Sequence, residues 1–286
     1  MKIIDKLTAD RPAFSFEYFP PKDAEGMRRL CTTVEKLREY EPAYVSVTYG
    51  AGGKTRELTR DVVRRIQTRT GIETMAHLTC VGASREELAG TLDEYRDTQI
   101  DNVLALRGDP VEGTTTFQRV EGGFAHASEL VAFIRARYDF CIAGACYPEK
   151  HVEAPDFDTD LANLKLKVDA GIDFLITQLF FDNRDYFSFV EAARRVGITQ
   201  PIVAGIMPIT NVAQIKRFTA MCGAQIPAAL LARLEDAADD AERVRGIGVE
   251  HAIEQCRALL DAHVPGIHFY TLNRSLATVR ILEAVR

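Results

Sequence analysis

The sequence predicts an α/β chain folded as a single (β/α)8 TIM barrel, with extra helices before the last strand. Three observations lead there. Eight short β-rich runs alternate with longer segments of helical period, most starting 28 to 38 residues apart, the rhythm of parallel βα units. The chain of 286 residues is the size of one such barrel and shows no linker or composition shift, so residues 1–286 are expected to form one unit. Polar and charged residues gather where the β-rich runs end, the face on which such barrels carry out chemistry. A doubly wound open sheet is the competing arrangement.

The strand candidates are Ala13–Phe19, Tyr44–Tyr49, Thr74–Thr79, Asn102–Leu106, Phe140–Ala145, Phe174–Phe180, Ile202–Ile206 and Ile267–Leu272. Each is brief, rich in β-branched or aromatic residues, and bounded by Gly, Pro, Asp or Asn. After the first, Asp23 is placed to cap a helix whose apolar residues Met27, Leu30, Val34 and Leu37 share one face. Ser84 with Glu87 forms a capping-box pattern opening a helix over Ser84–Thr98. Leu161, Leu164 and Val168 make another stripe, stopped by Gly171. The longest interval, before the last strand, holds additional helical sequence over Pro227–Ala262.

Composition excludes several functions. At 47% hydrophobic and 27% charged residues the chain is neither disordered nor fibrous. With 35 basic against 41 acidic residues, net charge −6, it is a poor partner for nucleic acid or an anionic membrane. No run of ~18 apolar residues predicts a membrane span, and the N-terminus lacks the apolar core of a signal peptide. The six cysteines form no C-x-x-C pair and are expected to be reduced thiols of a cytoplasmic protein. Gly50–Thr55, GAGGKT, resembles a phosphate-binding P-loop, but Thr48 stands where its first glycine is required. No G-x-G-x-x-G opens a βαβ unit. Cys141, Cys146 and His151 match no zinc spacing, so no metal site is expected. No lysine lies within a strand run, which weakens a Schiff-base mechanism.

What remains is a ring of polar strand ends: Glu17, Thr48 with Tyr49, His77 with Thr79, Arg107 with Asp109, Tyr147 through His151, Gln178, and Asn273 with Arg274. Any one of these is ordinary at the start of a loop. Seven of eight ends carrying such groups indicates a shared site.

The segments SFEYFPPK, YVSVTYGAGG, AHLTC, ALRGD, ACYPEKH, NLKLKVDAG, ITQLFFD, GIMPITN and FYTLNR, in this order from about Phe14 to Arg274, resemble the 5,10-methylenetetrahydrofolate reductase family. The resemblance implies a barrel that binds FAD, takes a hydride from NADH (or NADPH), and passes it to methylenetetrahydrofolate by ping-pong exchange, giving 5-methyltetrahydrofolate. Glu17 matches the family's general acid, for which a raised pKa is expected. Asp109 matches a carboxylate that contacts both flavin and pterin. Arg107 and Gly108 belong to the flavin motif, where glycine permits close backbone approach. The remaining flavin positions map to Tyr49, Ala51, His77, Ala127 and Tyr147, then to His151, Ala154, Asp160, Asn163 and Lys167. Asp160 also stands near a helix start, where capping is its alternative role. Thr48 and Gln178 match residues that meet nicotinamide or pterin, while Gln214, Phe218 and Arg274 resemble folate contacts. By spacing, Phe218 is equally placed to be a core residue.

His126 and Leu166 depart from the residues usual in relatives and put individual FAD contacts in question. Arg107, His151, Lys167 and Arg274 are expected to concentrate positive charge at one mouth of an acidic barrel. Pro110–Gly123 is expected to be a mobile cover over the flavin. The family also suggests a homo-oligomer, and at this length no C-terminal regulatory domain like that of eukaryotic relatives is expected.

Overall fold

Each β-rich run is followed by helical sequence, and the runs can all lie parallel only if the helices return the chain outside the sheet. The computed structural model, which describes residues 1–7, 11–49, 56–110 and 117–286, has this arrangement in closed form. The strands are β1 (Ala13–Tyr18), β2 (Tyr44–Val47), β3 (Thr74–Thr79), β4 (Asn102–Leu106), β5 (Cys141–Cys146), β6 (Phe174–Thr177), β7 (Ile202–Ile206) and β8 (Gly266–Tyr270). They pair in chain order. β8 closes on β1 in parallel register, from Ala13 opposite Gly266 to Glu17 opposite Tyr270. The open doubly wound sheet is thereby excluded.

The helices are α1 (Ala24–Arg38), α2 (Arg56–Thr70), α3 (Arg85–Asp97), α4 (Ala127–Arg137) and α5 (Phe157–Asp169), followed by α6 (Asn183–Arg195), α7 (Val212–Cys222), α8 (Ala228–Asp236), α9 (Ala241–Asp261) and α10 (Leu276–Val285). Their starts follow the capping chemistry. Asp23 accepts from Gly26 N at 2.6 Å, and Ser84 and Glu87 form the reciprocal box at α3. Helices α8 and α9 are the additional elements before the last strand. Leu230, Leu234, Val244 and Ile247 pack with Ile209, Ile215 and Phe181 into a core of their own. There α9 comes so close to the chain after β7 that a Cβ on Gly248 would lie 1.9 Å from the Ile209 carbonyl oxygen.

Several strands are shorter than the apolar runs suggest, because groups at their ends pull the backbone off the ladder. Phe19 N is taken by the Asn273 side chain at 2.8 Å, which ends β1. Gln178 Oε1 accepts from Leu179 N at 2.9 Å, ending β6 far before Phe180. Leu272 and Asn273 adopt φ of 51° and 58°, conformations incompatible with extension of β8.

Strand alternation divides the residues into two faces. Phe16, Tyr18, Val45, Val47, Ala76 and Leu78 point outward and join the core beneath the helices. Ala13, Tyr44, Met75, Leu104, Cys141 and Phe174 fill the N-terminal half of the barrel interior with Ile3 and Leu7. Ile3 belongs to a short 3-10 turn (Ile3–Lys6), fastened by Ile3 N donating to the buried Asn102 Oδ1 at 2.8 Å. This end of the barrel is therefore packed shut, and polar inward groups have room only toward the strands' C-terminal ends. Among the described residues no helix is long and apolar enough to cross a membrane, and all six cysteines are free thiols.

Candidate active site

The inward positions change character along each strand. On β1 they run Ala13, Ser15, Glu17; on β2 Tyr44, Ser46, then Thr48; on β3 Met75, His77, Thr79; on β8 Gly266, His268, Tyr270. All of these except the half-buried Tyr270 are buried. Glu17 is only 7% exposed, with Oε2 at 3.3 Å from His77 Nε2 and 3.6 Å from His268 Nε2. His268 is held in turn by Ser15 Oγ at 2.8 Å from Nδ1 and by Ser46 Oγ at 3.4 Å from Nε2. Tyr44 stacks on its ring at 5.8 Å. The His77 contact is an ion-pair approach off the hydrogen-bonding line, and Nε2 has no hydrogen-bond partner among the described residues.

The expected raised pKa of Glu17 is not what this arrangement produces. Burial pushes the carboxyl up, but the imidazoles of His268 and His77 outweigh it and hold the group down at about 2.

Where β4 and β5 end lies a cavity of about 490 Å³, within the ~300–1,000 Å³ usual for cofactor and small-molecule sites. Eight residues expected to hold flavin line it. Arg107 enters from the end of β4 and Ala127 from the first turn of α4. Tyr147, His151 and Ala154 follow β5, and Asp160, Asn163 and Lys167 lie on α5. His126 and the 64% exposed Leu166 also line the cavity, so both departures from the family pattern face it.

Asp160 is not the cap of α5. Asp156 takes that role, accepting from Thr159 N at 2.7 Å, while Asp160 accepts from His151 N at 2.9 Å and orders the loop. Lys167 Nζ donates to the Ala145 carbonyl. Burial pushes the Lys167 ammonium down while Cys146 and Asp160 oppose it. Gly108 has φ +87°, and a Cβ there would lie 2.6 Å from Val81 Cγ1, so the turn of the R-G-D segment requires glycine.

The charge distribution differs from expectation. Arg107 is already engaged in a two-point contact with Glu153, at 2.5 and 2.7 Å, so it adds little free positive potential. Arg274 does not share this cavity; it lines another, of about 590 Å³, where β8 meets α1. Positive charge is therefore divided between two clefts.

The other expected residues are distributed around the same rim. Thr48 and Tyr49 are buried after β2, and Asp109 is exposed after β4. Gln178 follows β6 on the opposite wall, half-buried, its backbone N donating to Cys146 O at 2.7 Å. Gln214 and Phe218 stand one turn apart on α7, and Phe218 packs against the α7–α9 core while remaining half-buried. Ala51, the Gly50–Thr55 segment and residues 111–116 of the Pro110–Gly123 loop lie outside the described residues.

His268, Ser15 and Ser46 are site residues that the reading of strand ends overlooks. Their signal was strand alternation: a histidine in register with Ser15 and two positions before the last inward residue of its strand faces the barrel axis, not the helices.

A sequence model of the family described as methylenetetrahydrofolate reductase matches residues 2–286. The chain is 42% identical over 297 residues to methylenetetrahydrofolate reductase (NADH) 1 of Zea mays, covering 99% of this chain and 50% of that protein. It is 38% identical to 5,10-methylenetetrahydrofolate reductase of Escherichia coli K12, covering 91% of this chain and 86% of that one. The chain thus spans about half the length of the plant relatives it matches. Among solved structures, an uncharacterized protein from Clostridium thermocellum that binds two copies of 5-methyl-5,6,7,8-tetrahydrofolic acid aligns with TM-score 0.62 at 13% identity, over 98% of this chain and 96% of that one. 2,3-Dimethylmalate lyase aligns with TM-score 0.54 at 8% identity, over 99% and 86%. At such identities these two structures share the barrel fold alone.

Proposed function

The chain belongs to the methylenetetrahydrofolate reductase family, and from that premise we propose that it reduces 5,10-methylenetetrahydrofolate to 5-methyltetrahydrofolate, with NADH or NADPH as reductant and FAD as carrier. The observation that carries this reading is the buried Glu17 cluster inside the barrel together with a cavity, where β4 and β5 end, lined by eight residues that match the family's flavin positions. FAD, when bound, would supply a two-electron carrier that the nicotinamide and the folate use in turn.

The chain's own groups fit that cofactor. The cavity has suitable volume, and Lys167 and His151 offer donors toward a diphosphate. Asp160 and Asn163 would serve the ribose and adenine side.

Reduction of the folate requires opening its bridged five-membered ring, which needs a proton on the departing nitrogen. Glu17 is the carboxyl that would deliver it, with the His77 and His268 imidazoles beside it to relay a proton. Asp109, as a carboxylate, suits the paired amino donors of the pterin edge, and Gln178 can both donate and accept there. Thr48 would meet whichever ring lies over the flavin. Residues 1–286 would act as one catalytic barrel.

The test is anaerobic purification followed by the two half-reactions. A yellow protein bleached by NADH or NADPH and recoloured by methylenetetrahydrofolate supports the proposal. A flavin-free protein that still reduces the folate, or a flavoprotein that the folate does not recolour, refutes it.

A further inference from the structure

The proposed chemistry assigns nothing to α9, the long helix that precedes β8. One face of it carries Gly248, His251 and Gln255, at the spacing of a single helical stripe. Each of the three meets a backbone carbonyl beyond the end of a strand. Gly248 lets α9 approach the Ile209 carbonyl, after β7, so closely that a Cβ would stand 1.9 Å from the oxygen. His251 Nε2 donates to the Phe181 carbonyl at 2.9 Å; because that oxygen can only accept, the ring carries its proton on Nε2. Gln255 Nε2 donates to the Phe180 carbonyl at 3.2 Å and to Asn183 Oδ1 at 3.3 Å. Asn183 Nδ2 donates back to the Gln255 carbonyl at 3.0 Å.

Phe180, Phe181 and Gln255 are buried, and His251 is half-buried. A buried carbonyl left without a donor is costly, and the sheet supplies none here, because β6 stops at Thr177. Two side chains of α9 therefore take the place of a ladder partner for the run between β6 and α6. Gln178 stands at the head of that run. Its backbone N donates to the Cys146 carbonyl at 2.7 Å, and its Oε1 accepts from Leu179 N at 2.9 Å. The side-chain amide is thus oriented by the same backbone that α9 holds, and a displacement of that backbone moves the amide with it.

We propose that Gln255 and His251 are positioning residues for substrate recognition: from α9 they hold the 178–181 backbone so that the Gln178 amide meets the substrate ring at hydrogen-bonding distance. The proposal rests on the reading of Gln178 as a substrate contact in the folate reaction. Neither residue lines either of the two large cavities, so an effect on the reaction must pass through the segment they hold. The helical insertion before the last strand thereby becomes the outer support of the substrate wall.

Two measurements on the holoenzyme test it. Hydrogen exchange followed by mass spectrometry should show faster exchange over residues 178–183 in Gln255→Leu, with the strands unchanged. Rapid mixing of the reduced holoenzyme with methylenetetrahydrofolate gives a half-saturating concentration for the folate half-reaction. One misplaced neutral hydrogen bond corresponds to about a two- to tenfold change. Gln255→Leu should therefore raise the half-saturating concentration by about that factor in the parent, and by less than about twofold in Gln178→Ala. His251→Leu should act in the same direction, and His251→Gln, which keeps a donor at similar reach, should restore the parent value. Equal factors in the two backgrounds overturn the proposal, because the effect then bypasses Gln178. So does unchanged exchange over 178–183, or a His251→Gln variant that behaves as His251→Leu. If Gln255→Leu does not fold, the two His251 variants, with and without Gln178→Ala, make the same comparison. If exchange over 178–183 quickens but the parent reduces no folate, the brace stands and the proposed reaction fails.

Discussion

Replacing Gly108 with alanine tests how tightly the turn after β4 is built. Gly108 has φ +87°, and its Cβ would lie 2.6 Å from Val81 Cγ1 and 3.0 Å from Thr79 Cβ. Val81 is 2% exposed and Thr79 5%, so neither can swing into solvent to make room. The backbone penalty of a left-handed non-glycine residue is about 1–2 kcal/mol, and overpacking a filled site adds about 1–3 kcal/mol. The total is about 2–5 kcal/mol.

Gly71→Ala isolates the first contribution. Gly71 has φ +70°, but nothing lies within 4 Å of its added Cβ, so it should lose only about 1–2 kcal/mol. Urea unfolding of the two variants and the parent, followed by circular dichroism, measures both. Because Gly108 lies between Arg107 and Asp109, flavin retained on purification should fall in Gly108→Ala and not in Gly71→Ala. Equal stability losses in the two variants would refute the close-packed account of this turn.

Three further outcomes are expected. Glu17→Gln should lower the folate half-reaction by about 10²–10⁴-fold, as for loss of a general acid, and lower flavin reduction by nicotinamide far less; rapid-mixing measurements showing equal losses would remove Glu17 from proton delivery. Glu149, whose carboxyl burial pushes up to about 6 with Asp185 and Asp182 adding to it, against the opposing bond from Gln225 N, favours its neutral form on folding. It therefore costs stability as pH rises from about 4.5 through 6. Glu149→Gln should gain at most about 1 kcal/mol relative to the parent between pH 4 and pH 8, because solvent screens the half-exposed carboxylate, and a pH-independent difference in urea unfolding would contradict the burial. Burial also pushes the Cys80, Cys141, Cys146 and Cys256 thiols up to about 12. A thiol reagent at pH 8 should therefore modify half-buried Cys31 first and those four only after denaturant is added.

The barrel was legible in the sequence because its determinants are local. Strand and helix periods, the Asp23 cap and the Ser84–Glu87 box each act within a few residues, and all reappear in the structure. Strand ends were less legible. β6 stops at Thr177 and not Phe180 because Gln178 captures its neighbour's N–H, a competition that hydrophobicity does not report. Of the candidate site, the eight cavity-lining residues were readable through the family resemblance. His268 was readable only through inward alternation.

By itself the sequence determined the family, the order of elements and the identity of the chemical groups, since these depend on residue type and spacing along the chain. Tertiary structure decided what those groups experience. Closure of β8 on β1 brings His268 to Glu17, 251 positions away in the chain, and turns an expected raised carboxyl into a depressed one. The same closure sets Arg274 beside Arg28 and Arg245 and apart from Arg107 and Lys167. Electrostatic interactions depend on separation and burial in space, and neither is a property of position along the chain.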